Sequence, residues 1–336
     1  MTLTTRSIGT TGLTVPTLGF GGAPLGGLFD AVDDLEAAKT LSQAMDSGLV
    51  YVDTAPFYGF GRSERRVGDI LRGRDYVLST KVGRLLAPGA APDPAAMGWP
   101  APLPFHPVFD YSYDGVMRSF EDSLQRLGLD RIDILYVHDI GTETHGAENG
   151  RHFSALAQSG YRALDELRSS GRVKAIGLGV NEAQVCKDAL GIGDWDLFLL
   201  AGRYTLLEQD PLLDLLPACQ AQGVSIVVGG PFNSGILVGG DTWNYGTAPD
   251  HVRSKVAQLA AVCRDFNIAL PAAALQFPLG HNSVVSVTPG LRSRQELSDA
   301  LQWSAQIIPE EFWTALKTKD LLHPDAPTPD MAPFIK

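Results

Sequence analysis

The feature that most constrains the fold is an eightfold alternation of short apolar runs with amphipathic helical segments. Strands separated by helical patterns pair in parallel, so eight such units in 336 residues predict a closed (β/α)8 TIM barrel of the α/β class. The alternative is an open, doubly wound sheet, but no strand precedes a Gly-x-Gly-x-x-Gly string; residues 177–182 come nearest, with Glu182 in place of the third glycine. The predicted strands are Thr17–Gly21, Leu49–Val52, Tyr76–Ser79, Ile132–Val137, Lys174–Val180, Asp196–Leu200, Val224–Gly229 and Val284–Val287.

Several segments lie outside this alternation. Residues Thr5–Val15 predict an N-terminal β-hairpin, because apolar residues flank the turn residues Gly9–Gly12. Long loops follow the third and fourth strands, at Leu85–Tyr111 and Ile140–Phe153, and loops of this length are usually functional or disordered. We expect one domain over residues 1–336, with an irregular tail over residues 320–336.

Composition and charge exclude several functional classes. The net charge of −11 argues against a nucleic-acid partner, which needs a basic surface. No apolar run approaches the length of a membrane span, and residues 1–6 lack the apolar stretch of a secretory signal, so we expect a cytoplasmic protein. The three cysteines are widely spaced, which predicts reduced thiols. We expect a small-molecule substrate as the partner, and a monomer and a homo-oligomer both remain open.

Four polar side chains lie at or just beyond the C-terminal ends of predicted strands. Asp53 and Tyr58 follow the second strand, Lys81 follows the third, and His138 follows the fourth. The C-terminal ends of the strands in a barrel open on one face, which carries the active site. A carboxylate, a phenol, an amine and an imidazole gathered there predict a proton-transfer site built around the tyrosine.

The chemistry assigns a role to each of the four. A phenol with its ordinary pKa of about 10 is a poor base at neutral pH. We predict that Lys81 lowers the pKa of Tyr58, the general acid/base, and that Asp53 holds Lys81 in place. His138 is predicted to orient the substrate oxygen by hydrogen bonding.

Structural roles compete with this interpretation. Taken singly, each residue has a structural alternative: Tyr58 as a packed loop aromatic, Asp53 and Lys81 as a structural ion pair, and His138 as a core histidine. Together, on one face, they favour function. Lys81 as the Schiff-base nucleophile of an aldolase and a cofactor-binding subunit with little catalysis are the alternatives from other classes. His145 and His152 lack a metal-ligand spacing, so we predict solvated loop residues and no metal site.

Five segments in register resemble the aldo-keto reductase family. They are residues 53–59 (Asp-Thr-Ala-Pro-Phe-Tyr-Gly), 79–81 (Ser-Thr-Lys) with 137–138 (Val-His), 172–181, 230–237 and 288–293. The resemblance covers nearly the whole chain, and it implies a nicotinamide cofactor bound without a Rossmann unit. The cofactor-binding residues that it implies are Gly22, Ala23, Asp53, Asn181, Tyr204, Gly230, Pro231, Phe232, Asn233, Gly235, Leu237, Thr288, Gly290, Arg292, Glu296 and Asp299.

The segment after the eighth strand bears on the choice between NAD and NADP. Many NADP-dependent members of this family have lysine and arginine where this chain has Gly290 and Glu296. A carboxylate near the adenosine ribose disfavours a 2′-phosphate and can accept a hydrogen bond from a 2′-hydroxyl. We therefore predict NAD, with NADP as the alternative, since Arg292 or Arg294 could still reach a phosphate.

The substrate is predicted from two further resemblances. Residues 104–112 and 119–128 resemble the sugar-dehydrogenase branch of the family, which oxidises L-fucose and related D-threo-aldoses, L-galactose or pyridoxal. In each case a cyclic hemiacetal would become a lactone. Tyr58 and His138 would touch the substrate, and Phe57, Trp99 and Phe105 would form aromatic walls. We place an aldose first, with pyridoxal or general aldehyde and ketone reduction as alternatives.

Overall fold

The computed structural model describes residues 3–330 and contains the predicted barrel. Eight parallel strands pair in the order β14-β11-β10-β9-β8-β5-β4-β3, and bridges from Leu18 to Val287 and from Gly21 to Gly290 close the circle. The strands are β1 (Thr5–Ser7), β2 (Thr14–Pro16), β3 (Phe20–Gly21), β4 (Tyr51–Asp53), β5 (Val77–Val82), β6 (Arg84–Pro88), β7 (Phe105–Phe109), β8 (Ile134–His138), β9 (Ala175–Val180), β10 (Leu197–Ala201), β11 (Ser225–Gly229), β12 (Thr242–Trp243), β13 (Gly246–Thr247) and β14 (Val284–Thr288).

Helices cover the outside of the barrel. Asp33 caps the first of them, because its carboxylate accepts hydrogen bonds from the backbone N–H groups of Leu35 and Glu36. The helices are α1 (Asp34–Asp46), α2 (Arg62–Leu71), α3 (Tyr113–Leu127), α4 (Thr142–His145), α5 (Asn149–Ala155), α6 (Tyr161–Ser169), α7 (Ala183–Ala189), α8 (Leu215–Gln222), α9 (Asp250–Asp265), α10 (Leu270–Gln276), α11 (Arg294–Ala305) and α12 (Glu310–Thr318). No helix in the described part of the chain is long and apolar enough to cross a membrane.

The barrel is closed at its N-terminal end. The predicted hairpin is present as β1 and β2, which pair antiparallel, and its apolar residues Ile8, Leu13 and Val15 are buried. They belong to one cluster with barrel side chains that include Tyr51 and Tyr136. With that end plugged, the C-terminal ends of the strands form the accessible face of the barrel.

The two segments predicted as long loops, Leu85–Tyr111 and Ile140–Phe153, contain strands and helices. In the first, β6 and β7 form an antiparallel hairpin that pairs Arg84 with Phe109. In the second, residues 142–155 form short helices. The prediction that His145 and His152 are solvated is wrong: their ring centroids lie 4.2 Å apart, and the His145 ring packs edge-on against the Phe109 ring. Aromatic neighbours from the other loop, which cannot be predicted from local sequence, bury His152 and half-bury His145.

The C-terminal segment agrees with the prediction in part. Helix α12 was not anticipated from the sequence. Residues 321–330 form neither helix nor strand, as predicted, but Leu321, Leu322 and Ala326 are buried, so this segment packs against the barrel. The remaining residues of the predicted tail, 331–336, lie outside the described residues.

Candidate active site

The four polar side chains predicted as the reaction centre lie together at the C-terminal face of the barrel. Asp53 is the last residue of β4, Lys81 the last but one of β5, and His138 the last of β8. Because these strands are neighbours in the sheet, their ends meet at one place. Tyr58 follows in the turn after β4, and its position depends on the loop beside it.

Two glycines allow the turn of Tyr58 to pack against the segment after β3. Gly59 has a φ of +61°, and a Cβ on it would lie 2.2 Å from the carbonyl oxygen of Gly26. A Cβ on Gly26 would in turn lie 2.5 Å from the carbonyl carbon of Tyr58. The two backbones therefore meet without side chains between them, which fixes where the phenol enters the barrel mouth.

Lys81 joins the carboxylate to the phenol. Its Nζ donates to Asp53 Oδ2 at 2.7 Å, to the Thr54 carbonyl oxygen at 2.9 Å and to Tyr58 Oη at 3.1 Å. The Ser79 hydroxyl donates to the other carboxylate oxygen of Asp53 at 2.7 Å. Lys81 and Asp53 are buried. All three protons of the ammonium thus have acceptors, and such a group is poorly suited to act as the free amine nucleophile of an aldolase.

The pKa of Tyr58 differs from the expectation. Burial raises the pKa of this phenol well above 10, and the nearby Asp53 carboxylate raises it further. The predicted lowering by Lys81 is wrong for the protein alone, because Asp53 at 2.7 Å already balances the charge of the ammonium. Tyr58 is therefore protonated at neutral pH, and the same ammonium is in place to stabilise the oxygen when its proton leaves.

His138 is a neutral imidazole. Burial lowers its pKa well below 6.5, and the positive charges of Arg84 and Lys81 lower it further. Its Nδ1 is buried and has no hydrogen-bond partner among residues 3–330, whereas its Nε2 lies 3.5 Å from Asp139 Oδ2. The ring stands edge-on to Tyr58, with centroids 5.8 Å apart. Nε2 is therefore the nitrogen available to a substrate oxygen.

A charged pair beside His138 was missed in the sequence. Arg84 Nη2 lies 2.8 Å from Asp139 Oδ2, and the Arg84 guanidinium stacks 4.3 Å from the centroid of the Phe57 ring. Burial raises the pKa of Asp139, which Arg84 and Lys81 oppose. Asp139 adopts a left-handed φ of 41°, a conformation that aspartate adopts more often than most other non-glycine residues. The only sequence feature that could have suggested the pair is that each residue lies just beyond a strand end.

A cavity of about 540 Å³ opens above the reaction centre. Four of the five residues predicted to touch the substrate line it: Phe57, Tyr58, Trp99 and His138. Phe105 does not line it; this residue is only partly buried and packs against the apolar cluster of Phe60, Ala91 and Trp99. Further lining residues that the sequence did not single out for this role are Arg84, Asp139, Glu143, Thr144 and Tyr245.

A second cavity, a cleft of about 500 Å³, adjoins the first and contains most of the predicted cofactor residues. Its volume lies within the range of small-molecule sites. The predicted residues that line it are Gly22, Ala23, Asp53, Asn181, Gly230, Pro231, Phe232, Asn233, Gly235, Thr288, Gly290, Arg292, Glu296 and Asp299.

Two predicted cofactor residues lie outside this cleft. Tyr204 is fully buried, and its ring packs against Phe277 with centroids 5.4 Å apart. Leu237 is also fully buried, in the main hydrophobic core. Both follow strands by several residues, so strand periodicity does not determine which way their side chains point.

The loop after β11 fits a phosphate-bearing group. Asn233, Ser234 and Gly235 have left-handed φ values of 46°, 61° and 109°. The Asn233 and Gly235 N–H groups donate to the Gly230 and Phe232 carbonyl oxygens at 3.0 Å and hold the loop in this turn, which places the small residues Gly230, Ser234 and Gly235 along the cleft. A dinucleotide would place its pyrophosphate along this loop and its nicotinamide near Asn181, beside Tyr58.

Both arginines that follow the eighth strand of the barrel, Arg292 and Arg294, form ion pairs with carboxylates. Arg292 pairs with Asp30 at 2.8 Å and with Glu296 at 3.0 Å, and its backbone N–H also donates to Glu296 at 2.8 Å. Arg294 pairs with Glu36 and does not line the cleft. Between residues 3 and 330, no group of three or more His, Cys, Asp or Glu side chains is arranged to hold a metal ion.

Sequence and fold comparisons agree with this geometry. Residues 17–320 match the sequence model of the aldo/keto reductase family. The chain is 46% identical over 333 residues to pyridoxal 4-dehydrogenase of Microbacterium luteolum, covering 94% of this chain and 97% of that protein. It is 38% identical over 341 residues to D-threo-aldose 1-dehydrogenase of a Pseudomonas species, covering 98% and 100%. The fold resembles that of an aldo-keto reductase from Bacillus halodurans in its holo form, with TM-score 0.74, 25% identity and coverage of 94% and 96%.

Proposed function

The chain belongs to the aldo/keto reductase family, and on that premise we propose that it oxidises a cyclic hemiacetal to a lactone with NAD. One observation carries the proposal: Lys81 donates hydrogen bonds to both Asp53 and Tyr58 where the two cavities meet. Tyr58 lines the cofactor cleft and the substrate cavity together. A phenol in that position can exchange a proton with a substrate whose reacting carbon faces the nicotinamide.

Each side chain of the reaction centre has a separate role in the oxidation. After losing its own proton, Tyr58 accepts the hydroxyl proton of the hemiacetal as a phenolate, and the Lys81 ammonium at 3.1 Å stabilises that phenolate oxygen. The neutral His138 donates from Nε2 to the substrate oxygen; the Asp139 carboxylate 3.5 Å away favours the tautomer with its proton there. The bound nicotinamide supplies the acceptor for the hydride that leaves the carbon.

We propose pyridoxal, in its hemiacetal form, as the first substrate to consider, which reverses the order expected from the sequence. The rings of Phe57 and Trp99 meet edge to face with centroids 5.6 Å apart and wall the cavity. Such walls suit a pyridine ring. Arg84 adds a cation to the same wall and can donate to the phenolic oxygen that pyridoxal carries beside its reacting carbon. The 46% identical relative is named for this substrate.

An aldose is the second candidate, because the cavity also has polar lining residues. Glu143, Thr144, Asn181 and Glu182 line it and could accept or donate hydrogen bonds to several hydroxyl groups. Aromatic rings also stack on sugar faces, so Phe57 and Trp99 do not exclude this substrate. The 38% identical relative is named for a D-threo-aldose.

A substrate comparison tests the proposal. We expect NAD-dependent production of NADH with pyridoxal, at a kcat/KM at least about tenfold above that for L-fucose, because the pocket offers an aromatic wall and a cation. NADH absorbance with NAD and with NADP, in parallel wells, measures both. A clear preference for L-fucose would make the protein an aldose dehydrogenase. Reduction of simple aldehydes without oxidation of any hemiacetal would contradict the proposal.

The NAD preference rests on the charges at the adenosine end of the cleft. Glu296 lines the cleft and holds Arg292 by both its backbone and its guanidinium. Arg292 is therefore already neutralised, and a 2′-phosphate would face two carboxylates, Glu296 and Asp299. A 2′-hydroxyl, in contrast, can donate to Glu296.

Replacing Glu296 by glutamine should weaken the preference for NAD. We expect the kcat/KM ratio of NADP to NAD to rise about tenfold or more, because the change removes one negative charge from the cleft and leaves the Arg292 guanidinium paired with Asp30 alone. Glu36→Gln is the matched control: it frees Arg294, which does not line the cleft, and should leave the ratio unchanged. A wild-type protein that already prefers NADP would contradict the argument.

A further inference from the structure

The hairpin of β12 and β13 carries a tyrosine at a position that favours glycine. Its two-residue turn consists of Asn244 and Tyr245, with φ values of 51° and 64°. Two-residue hairpin turns with positive φ at both positions prefer Asn-Gly, since glycine has no Cβ to strain. Asparagine is present at the first position, but tyrosine, a bulky residue that rarely adopts this conformation, occupies the second. Strain of this kind is found where the side chain itself is needed.

The surrounding contacts hold this turn over the barrel mouth. The Tyr245 backbone N–H donates to Ser234 Oγ at 3.0 Å, and Arg203 Nη1 donates to Asn244 Oδ1 at 2.9 Å. At the base of the hairpin, Trp243 Nε1 donates to Glu208 Oε1 at 2.6 Å. The turn is thus fixed from two sides.

The Tyr245 side chain stands where the two cavities meet. It lines both the cofactor cleft and the substrate cavity, as Tyr58 and Asn181 do. Its ring lies 6.4 Å from the ring of Phe29, which reaches the same junction from the segment after β3. Tyr245 is nevertheless 54% exposed, which leaves ring surface for a ligand to cover.

The hydroxyl of Tyr245 retains a free donor. Asn181 Nδ2 donates to Tyr245 Oη at 3.0 Å, so the phenol oxygen is the acceptor in that bond. Within residues 3–330, the phenol proton has no acceptor. A phenol that accepts one bond and keeps its proton is ready to donate to an oxygen inside the cavity.

We propose that Tyr245 is a substrate-binding residue of this enzyme, which covers the hemiacetal with its ring and donates its phenol proton to a substrate oxygen. The inference rests on the proposed function for the identity of that ligand. It adds a second tyrosine to the site with a role distinct from that of Tyr58: Tyr245 binds, and Tyr58 exchanges the reaction's proton.

Two variants, Tyr245→Gly and Tyr245→Phe, separate an effect on substrate binding from an effect on folding. Tyr245→Gly creates the Asn-Gly turn that this backbone prefers, so its thermal midpoint should equal or exceed that of the wild type. Its kcat/KM with pyridoxal should fall at least about tenfold, mainly through KM, while the Kd for NAD changes less than about threefold. Tyr245→Phe keeps the ring and loses the donor, so its kcat/KM should lie between that of the wild type and that of Tyr245→Gly.

The outcomes distinguish this inference from the proposed function. A stable Tyr245→Gly enzyme with kcat/KM within about twofold of wild type overturns the role of Tyr245, provided that Tyr58→Phe is inactive in the same assay. If Tyr58→Phe remains active, or if the wild type oxidises no hemiacetal, the proposed function fails and this inference fails with it. A loss of activity in Tyr245→Gly that follows a lower thermal midpoint would also contradict the inference, because the side chain would then be structural.

Discussion

Replacing Tyr58 by phenylalanine should lower kcat for hemiacetal oxidation by about 10²–10⁴-fold, the contribution typical of a positioned general acid or base. The ring would remain against Trp99 and His138, so the shape of the cavity would be kept while the proton acceptor disappears. Steady-state kinetics with saturating NAD measures the effect. The Kd for NAD should remain near the wild-type value, since the predicted phosphate and ribose contacts lie elsewhere in the cleft.

The pH profile gives an independent check on the same residue. Burial raises the pKa of Tyr58, so the phenol stays protonated at neutral pH and becomes a better base only as the pH rises. The kcat/KM for oxidation should therefore increase with pH above 7, by up to about tenfold per unit, without a fall caused by His138. Burial lowers the pKa of His138, which is already neutral in that range. Near-native rates in Tyr58→Phe, or oxidation that slows as the pH rises from 7 to 9, would contradict the role of Tyr58.

Replacing Lys81 by methionine should damage both stability and activity. The substitution leaves the Asp53 carboxylate buried without its cation, and breaking a buried pair in this way costs about 3–5 kcal/mol in the free energy of unfolding. It also removes the ammonium beside Tyr58, so proton transfer should become slower still. Urea denaturation followed by tryptophan fluorescence measures the first effect, and initial rates measure the second.

The double variant Asp53→Asn/Lys81→Met separates the two effects. With the carboxylate gone, no unpaired charge remains, so its loss of stability should be much smaller than the sum of the two single losses. Its activity should remain low, because Tyr58 still lacks the ammonium. If Lys81→Met unfolds at the same urea concentration as the wild type, the buried pair contributes nothing, and the positioning of Tyr58 by Lys81 would need another explanation.

Residues attached to strand ends were predictable because strand position fixes their location. The apolar runs before Asp53, Lys81 and His138 place them on one face once eight parallel strands are assumed. The structure brings all three together with Tyr58, and the observed strand ends lie within one to three residues of the predicted ones. The lengths of the apolar runs and the helical segments between them were sufficient to predict this part of the site.

Residues in loops were predicted less well. Phe105 was assigned to the site as a loop aromatic and Tyr204 from the family resemblance, but neither lines its cavity, because no periodicity sets side-chain direction in a loop. Arg84 and Tyr245 were missed for the same reason: each reaches the cavity through a hairpin whose pairing depends on distant contacts. The pKa of Tyr58 also could not be predicted, since burial, which dominates it, is a property of the whole fold.

The most direct test of hydride transfer follows the hydrogen on the reacting carbon. Pyridoxal, or the hemiacetal with the highest kcat/KM, would be labelled there with deuterium and oxidised by the wild-type enzyme with NAD. The mass of the reduced cofactor measures where the label goes. If Tyr58 removes the hydroxyl proton while the hydride goes directly to the nicotinamide, the deuterium appears in NADH and not in water. Unlabelled NADH, with the deuterium in the solvent, would contradict the account.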